Sequence, residues 1–245
     1  MAFQRMAITT AILFFIYGCA DRINGNIIKG DIAGSPSKGH YISGVPFIAQ
    51  EEFYCGPASL AMVMNFYGMK ISQDAVAKGI YLKKLKGTLN TDLLVYAREK
   101  GFHARYYSGS IDDIKMNVSK NMPLILLLNL GLDIYPIYHY MVVVGFHDEK
   151  GFIIAHSGKE EEKIFSYKEL IRAWEKTSFG TLLVSPPEKI GQDTLSASGH
   201  AEIGVIYESK GENDLAVSEY KKAIQKDPNY ALAYFNLGNI YLKKG

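Results

Sequence analysis

Apolar residues recur every three to four positions in several segments between residues 56 and 119. In the segment 56–66, Leu60 and Met64 lie one turn apart, which indicates a helix with one apolar face. Ser72 and Thr91 precede two further segments of this kind, and their side-chain oxygens can cap a helix. The pattern predicts helices over 56–66, 73–77, 92–100 and 111–119.

The pattern changes after residue 119. Short apolar runs bounded by Gly, Asp or Pro are typical of buried strands, and they occur at 124–128, 140–144, 152–155 and 181–184. Before the last of them, Ser166 and Glu169 form a capping-box match that predicts a helix reaching Trp174. Helices followed by an antiparallel sheet predict an α+β fold.

Two segments without apolar periodicity divide the 245 residues into parts. Residues 19–44 are rich in Gly, Ser and Asn and predict a tether. Residues 187–197 follow Pro186 and predict a linker. Residues 45–186 have the length of a single domain with one core.

The segment 198–245 contains a repeat with a period of 34 residues. This is the period of tetratricopeptide repeats, so we expect an all-α segment that binds a protein partner, with its second repeat incomplete. A helical hairpin without repeat character is the alternative, but it leaves three matching offsets unexplained. The matching pairs are Gly204 with Gly238, Tyr207 with Tyr241, and Gly211 with Gly245.

The start of the chain resembles a bacterial lipoprotein signal. Arg5 precedes an uncharged run over 6–17, which is too short to span a bilayer but suits a signal-peptide core. The motif over 16–19 ends in Cys19, which implies removal of residues 1–18 and acylation of Cys19 as the only membrane attachment. An ordinary signal peptide or a short anchoring helix is the alternative. Because Ala20 follows, the resemblance favours the periplasmic face of the outer membrane, within a bacterial cell envelope.

Composition limits the classes of function. With 48% hydrophobic and 21% charged residues, the chain is typical of a folded globular protein. Its 27 basic and 25 acidic residues give a net charge of +2 and form no basic cluster, which argues against nucleic-acid binding. The histidines lack the spacing of a metal site, and we expect no cofactor.

Cys55 is the main candidate for chemistry. The chain has two cysteines, and if acylation uses Cys19, an exported protein keeps an unpaired thiol at Cys55. At the start of a predicted helix, the helix dipole favours the thiolate. His139 opens an apolar strand and can act as a base. Gln50, five residues before Cys55, can supply a side-chain donor to an oxyanion hole. Each residue alone also has a purely structural explanation.

These residues carry a resemblance to a known family. The motifs are Gln50-x4-Cys55-Gly56-Pro57-Ala58 and His139-Tyr140-x-Val142-Val143-Val144-Gly145. Over residues 45–185 the chain resembles papain-like cysteine peptidases related to the bacteriocin-leader-processing peptidases that cut after a double glycine. With its lipoprotein signal and repeats, it is similar to an exported subgroup of them. The resemblance implies a thiolate nucleophile at Cys55, a base at His139 and oxyanion support from Gln50.

The third position of the family pattern is not matched. Where the family has an Asp that orients the histidine, this chain has the run 155–158, with His156 and Ser157. Either can accept a hydrogen bond from His139 without supplying a charge. Asp133 and Asn129, in the segment before His139, remain open as alternatives.

Two functions of different class follow. The first is a lipid-anchored cysteine peptidase that hydrolyses peptide bonds in a peptide or protein substrate. The second is a scaffold that holds a peptide without cleaving it and recruits partners through its repeats. A transferase that uses the same thiol chemistry is a further alternative. Retention of Cys55, His139 and Gln50 favours cleavage, while the missing Asp favours binding alone.

Overall fold

The structure is a computed structural model that describes residues 25–191 and 195–244. Seven antiparallel strands form one sheet, which packs against helices, and three further helices follow. The helices are α1 (Gly25–Gly34), α2 (Cys55–Phe66), α3 (Gln73–Ile80), α4 (Asn90–Glu99), α5 (Ile111–Ser119), α6 (Tyr167–Trp174), α7 (Ala197–Ser209), α8 (Asn213–Lys226) and α9 (Ala231–Lys244). The strands are β1 (Gly39–Tyr41), β2 (His103–Ser108), β3 (Leu124–Asn129), β4 (Tyr138–His147), β5 (Phe152–Ser157), β6 (Glu160–Ser166) and β7 (Gly180–Ser185).

The sheet has the strand order β2-β7-β3-β4-β5-β6, and β1 pairs with the far end of β4. Strand β4 is central: its first half pairs with β3 and its second half with β1, while β5 lies along its other edge. Helix α2 packs against β4, and nine consecutive residues of this helix, from Gly56 to Met64, are buried. The core therefore fixes the start of α2 relative to the start of β4.

Most of the predicted elements are confirmed. The four predicted strands correspond to β3, β4, β5 and β7, and the capping box at Ser166 and Glu169 begins α6. Ser72 caps α3 by accepting a hydrogen bond from the Ala75 amide at 3.2 Å. Thr91 is not a cap, because α4 begins one residue earlier, at Asn90. Strands β2 and β6 were not predicted, since their mixed polar and apolar sequences suit partly exposed strands.

The prediction of a tether over 19–44 is wrong for residues 25–44. Helix α1 buries Ile28 and Ile32, which are spaced by one turn, and β1 adds to the sheet. Asp31 of α1 is hydrogen-bonded to His147 at the end of β4, at 3.1 Å, and forms an ion pair with Lys150 in the following turn, at 2.6 Å. This segment is therefore part of the first folded unit. The remaining tether residues, 19–24, and the predicted signal, 1–18, lie outside the described residues.

Helices α7 to α9 form a second cluster with its own small core. Gly204 is required there, because a Cβ at this position would lie 2.5 Å from the Tyr220 ring. The two units are nevertheless in contact. Glu202 of α7 pairs with Arg98 at 2.6 Å and lies 3.0 Å from the His103 ring of β2. The linker therefore does not leave the repeats detached from the sheet.

Within 25–191 and 195–244, no helix combines the length and apolar character needed to cross a membrane.

Candidate active site

Cys55 is the first residue of α2, and its environment follows from that position. The Tyr54 carbonyl accepts the Ala58 amide at 2.8 Å and so closes the first turn. The amides of Cys55 and Gly56 have no partner within the helix because they precede its first hydrogen bond. These two amides and the backbone of Tyr140 form hydrogen bonds with the Cys55 sulfur. Phe53 enters this turn with φ of 64°, a strained value for an aromatic residue.

A cleft of about 1020 Å³ opens in front of this sulfur. Gln50, Cys55 and His139 all line it, so the structure brings together the three residues that the sequence singled out. One wall comes from the segment 85–89 and the other from the two ends of the segment 130–138. Much of the lining is apolar, including Phe53 and Leu85.

His139 stands near the start of β4, where the strand register places it opposite Leu128 of β3. On the other side, Ser157 at the end of β5 pairs with Met141. His139 and Met141 are two residues apart and share a face of the strand, so Ser157 lies on the same face as His139. The Nε2 atom of His139 is 3.0 Å from the Ser157 hydroxyl. This hydrogen bond fixes the ring orientation and leaves Nδ1 free of any hydrogen bond within the described part of the chain.

Gly158, which the sequence did not single out, joins the two sides of the site. It has a φ of +66°, and a Cβ there would lie 3.9 Å from Cε1 of His139. Its carbonyl accepts a hydrogen bond from the backbone amide of Gln50 at 3.0 Å. Gly158 thus holds the segment that carries Gln50 beside the His139 ring. Its sequence signal is a Gly directly after a strand, at the turn into β6.

The electrostatics of the pair differ from the expectation of a resting thiolate. Burial raises the pKa of the Cys55 thiol, and the backbone hydrogen bonds to the sulfur offset only part of this effect. Burial also lowers the pKa of His139 to about 4, with a smaller contribution from the positive charge of Lys163. Desolvation therefore outweighs the hydrogen bonds that the start of α2 supplies to the thiol. Both shifts favour a neutral thiol and a neutral imidazole at pH 7.

The other three candidates for the third member have different partners. His156 is buried, and its Nδ1 accepts the Glu162 amide while Nε2 donates to the Val45 carbonyl at 3.2 Å. Asn129 accepts the amides of Gly131 and Ile137, both at 3.0 Å. Asp133 is 86% exposed at its side chain and lies 3.8 Å from Lys176. Among the described residues, only Ser157 of the four candidates bonds the ring of His139.

Two further predictions concern lipidation and metal binding. Cys19, the predicted lipidation site, is not among the described residues. Across 25–191 and 195–244, no group of three or more His, Cys, Asp or Glu side chains could hold a metal ion.

Comparisons with solved structures find similar peptidase domains. A double glycine motif protease from an AMS/PCAT transporter, in complex with its leader peptide, is 22% identical, with a TM-score of 0.48; the match covers 60% of this chain and 94% of that one. The peptidase domain of Streptococcus ComA, a bifunctional ABC transporter, is 21% identical, with a TM-score of 0.48 and coverage of 58% and 99%. A C39-like peptidase from Bacillus anthracis is 16% identical, with a TM-score of 0.49 and coverage of 60% and 96%.

The repeats match separately. Human tetratricopeptide repeat protein 6 is 53% identical over 38 residues, which are 16% of this chain and 7% of that protein. The chain thus spans a small fraction of the curated relative that it matches. The TPR repeat family model matches residues 204–245. The model of the Peptidase_C39 like family matches residues 42–182, more than half of the chain, and the chain therefore belongs to that family.

Proposed function

We propose that this protein is a cysteine peptidase that hydrolyses peptide bonds with Cys55 as nucleophile, His139 as base and Gln50 as an oxyanion donor. The observation that carries the proposal is that all three side chains line one cleft, where Ser157 holds the His139 ring by Nε2. Membership of the Peptidase_C39 like family supports a hydrolase.

The proposed reaction starts from the neutral pair. The Nδ1 atom of His139 accepts the thiol proton while the Cys55 sulfur attacks the substrate carbonyl carbon. In that tautomer Nε2–H donates to the Ser157 hydroxyl. The Gln50 side-chain amide and the Cys55 backbone amide donate to the oxyanion. The imidazolium then gives its proton to the leaving amine, and water hydrolyses the thioester to release the second product and restore the thiol.

A peptide-binding scaffold without cleavage is the second candidate. The observation that favours it is the replacement of a carboxylate by Ser157. A hydroxyl orients the ring but stabilises the imidazolium less than a negative charge does, and burial already disfavours that charge, since it lowers the pKa of His139 to about 4.

The location and the partner are part of the same proposal. The motif ending at Cys19 supports acylation and attachment to the cell envelope, on the periplasmic face of the outer membrane. The TPR repeat over 204–245 supports a protein partner for this segment, separate from a peptide or protein substrate in the cleft. Mass spectrometry of the mature N-terminus in the wild type and in Cys19→Ser tests the anchor.

A thiol-directed electrophile and a peptide library test the activity. We expect an epoxysuccinyl probe to label Cys55 and the wild type to cleave library peptides, with both lost in Cys55→Ala and His139→Ala. His40→Ala is the matched control, because His40 bonds Asn121 at 2.9 Å and does not line the cleft. Binding of library peptides without cleavage, and equal in the wild type and Cys55→Ala, would favour the scaffold.

A further inference from the structure

An exposed apolar tip projects from the cleft wall in the segment 130–137, between β3 and β4. Leu132, Ile134 and Tyr135 are exposed to 66%, 77% and 75%. These side chains belong to neither hydrophobic core and do not line the cleft. Neither folding nor substrate contact within the cleft accounts for them. Clustered large apolar side chains on a surface mark an interaction site.

The tip is a preformed hairpin. The Tyr135 amide donates to the Leu132 carbonyl at 3.0 Å, and the Leu130 amide donates to the Ile137 carbonyl at 2.9 Å. Asn129 accepts two further amides of the segment, and Lys176 donates to the Gly131 carbonyl at 2.8 Å. These hydrogen bonds pair the backbone at the base of the tip and fix its shape, so the exposed apolar side chains are presented without prior ordering of the segment.

The opposite wall combines apolar and basic side chains. In the segment 82–86, Leu85 is 62% exposed, and Lys83, Lys84 and Lys86 are exposed. No ion pair involves Lys83 or Lys84 within the described ranges. Glu51 and Glu52 line the cleft between the walls. Outside the cleft, Asp133 is close to Lys176. The mouth of the cleft therefore carries an excess of positive charge beside two apolar loops.

We propose that these two loops dock on an anionic phospholipid surface. Aliphatic side chains with a Tyr at a loop tip, flanked by lysines, match the chemistry of the interface between lipid headgroups and acyl chains, and the lysines are attracted to anionic headgroups. A peptide is the less suitable occupant, because the tip points outside the cleft. Docking turns the mouth of the cleft towards the membrane, so it would receive chain segments that lie close to the lipid. The proposal needs neither acylation of Cys19 nor turnover.

A tryptophan at the tip reports insertion locally. The chain has one Trp, Trp174, which is fully buried and gives a constant background. Ile134→Trp and, as the matched control, Leu242→Trp on α9, where Leu242 is 82% exposed, are made in the full chain carrying Cys19→Ser. Both are mixed with vesicles of phosphatidylglycerol and brominated phosphatidylcholine in equal parts. Any attachment through the first residues is common to both variants.

We expect quenching of the tryptophan at 134 and none at 242, with loss of quenching in vesicles of brominated phosphatidylcholine alone. Ile134→Asp should weaken vesicle binding about tenfold relative to Leu242→Asp, because one aliphatic side chain no longer leaves water. Absence of quenching at 134, or equal quenching at both positions, would overturn the proposal. Equal quenching in neutral vesicles would overturn the anionic surface. A fluorescence change at 134 with cleaved peptides but not with vesicles would assign the tip to substrate instead.

Discussion

Replacing Ser157 tests the group that orients His139. The Ser157 side chain is buried, with 8% of the residue exposed, so water does not easily take its place in Ser157→Ala. A net hydrogen bond between neutral groups is worth about 0.5–1.5 kcal/mol. Its loss should slow reactions of Cys55 that need the His139 base by roughly twofold to tenfold.

Ser157→Asp should act in the opposite direction. An opposite charge within contact distance raises a histidine pKa by about 1–3 units, and here it opposes the burial that holds the pKa of His139 to about 4. The base must be neutral to accept the thiol proton, so the acid limb of the pH profile should move to higher pH. The same charge stabilises an imidazolium beside a thiolate, so alkylation of Cys55 at neutral pH should become faster.

The assay is the rate of iodoacetamide alkylation against pH, followed by mass spectrometry of the peptide that contains Cys55. Ser185→Ala is the matched control, because Ser185 is fully buried in the same sheet and bonds the Pro186 carbonyl at 3.3 Å. His156→Asp places the carboxylate one residue away, on the opposite face of β5. Equal alkylation rates in Ser157→Ala and Ser185→Ala, or equal acid limbs in Ser157→Asp and His156→Asp, would refute the role of Ser157 in orienting His139.

Three further predictions concern stability. Asn129→Ala removes the acceptor of two loop hydrogen bonds, so the free energy of unfolding in urea should fall by about 1–3 kcal/mol; an unchanged value would show that these two bonds do not stabilise the fold. Glu202→Gln weakens the pairing of α7 with Arg98, so hydrogen exchange should show α7 opening more readily while the sheet keeps its protection; unchanged exchange in α7 would contradict the contact. Burial lowers the pKa of His139 from 6.5 to about 4, so the unfolded chain binds this proton more tightly. The contribution of neutral His139 to the free energy of unfolding is fully present above about pH 6.5 and should be lost as the pH falls towards 4. In urea melts at decreasing pH, the loss should reach up to ~3 kcal/mol relative to His139→Gln; parallel pH profiles for the two proteins would refute the shift.

The sequence was most informative where local pattern and tertiary burial agree. Helix α2 was predicted from its apolar spacing, and in the fold it is buried along nearly its whole length. Strands β3 and β4 are continuous apolar runs because helices and neighbouring strands cover them. The cap at Ser72 and the capping box at Ser166 needed only residues that are close in sequence. The motif residues of the cleft could therefore be selected before any contact was known.

Elements that depend on distant partners were missed. Helix α1 has a short apolar face, and residues distant in sequence hold it against the sheet, among them His147 and Lys150, which pair with Asp31. Strand β6 begins with three glutamates, yet backbone pairing with β5 holds it in the sheet. Propensity gives little information on such segments, because their strand or helix state is decided by neighbours. The charge of the Cys55 thiol depends on the whole fold for a similar reason, since burial raises its pKa.

The choice between His156 and Ser157 shows where sequence information ended. Adjacent residues of a strand point to opposite faces, so at most one of the two can lie beside His139. The register decides which: Ser157 is opposite Met141, which shares the face of His139, whereas His156 is opposite Val142. A shift of one residue would exchange these roles, and the β4–β5 ladder contains an irregularity between Val143 and Gly145 that a sequence does not reveal. Family spacing could locate the end of β5 but not its register, and the register is what selects a hydroxyl rather than an imidazole as the partner of the base.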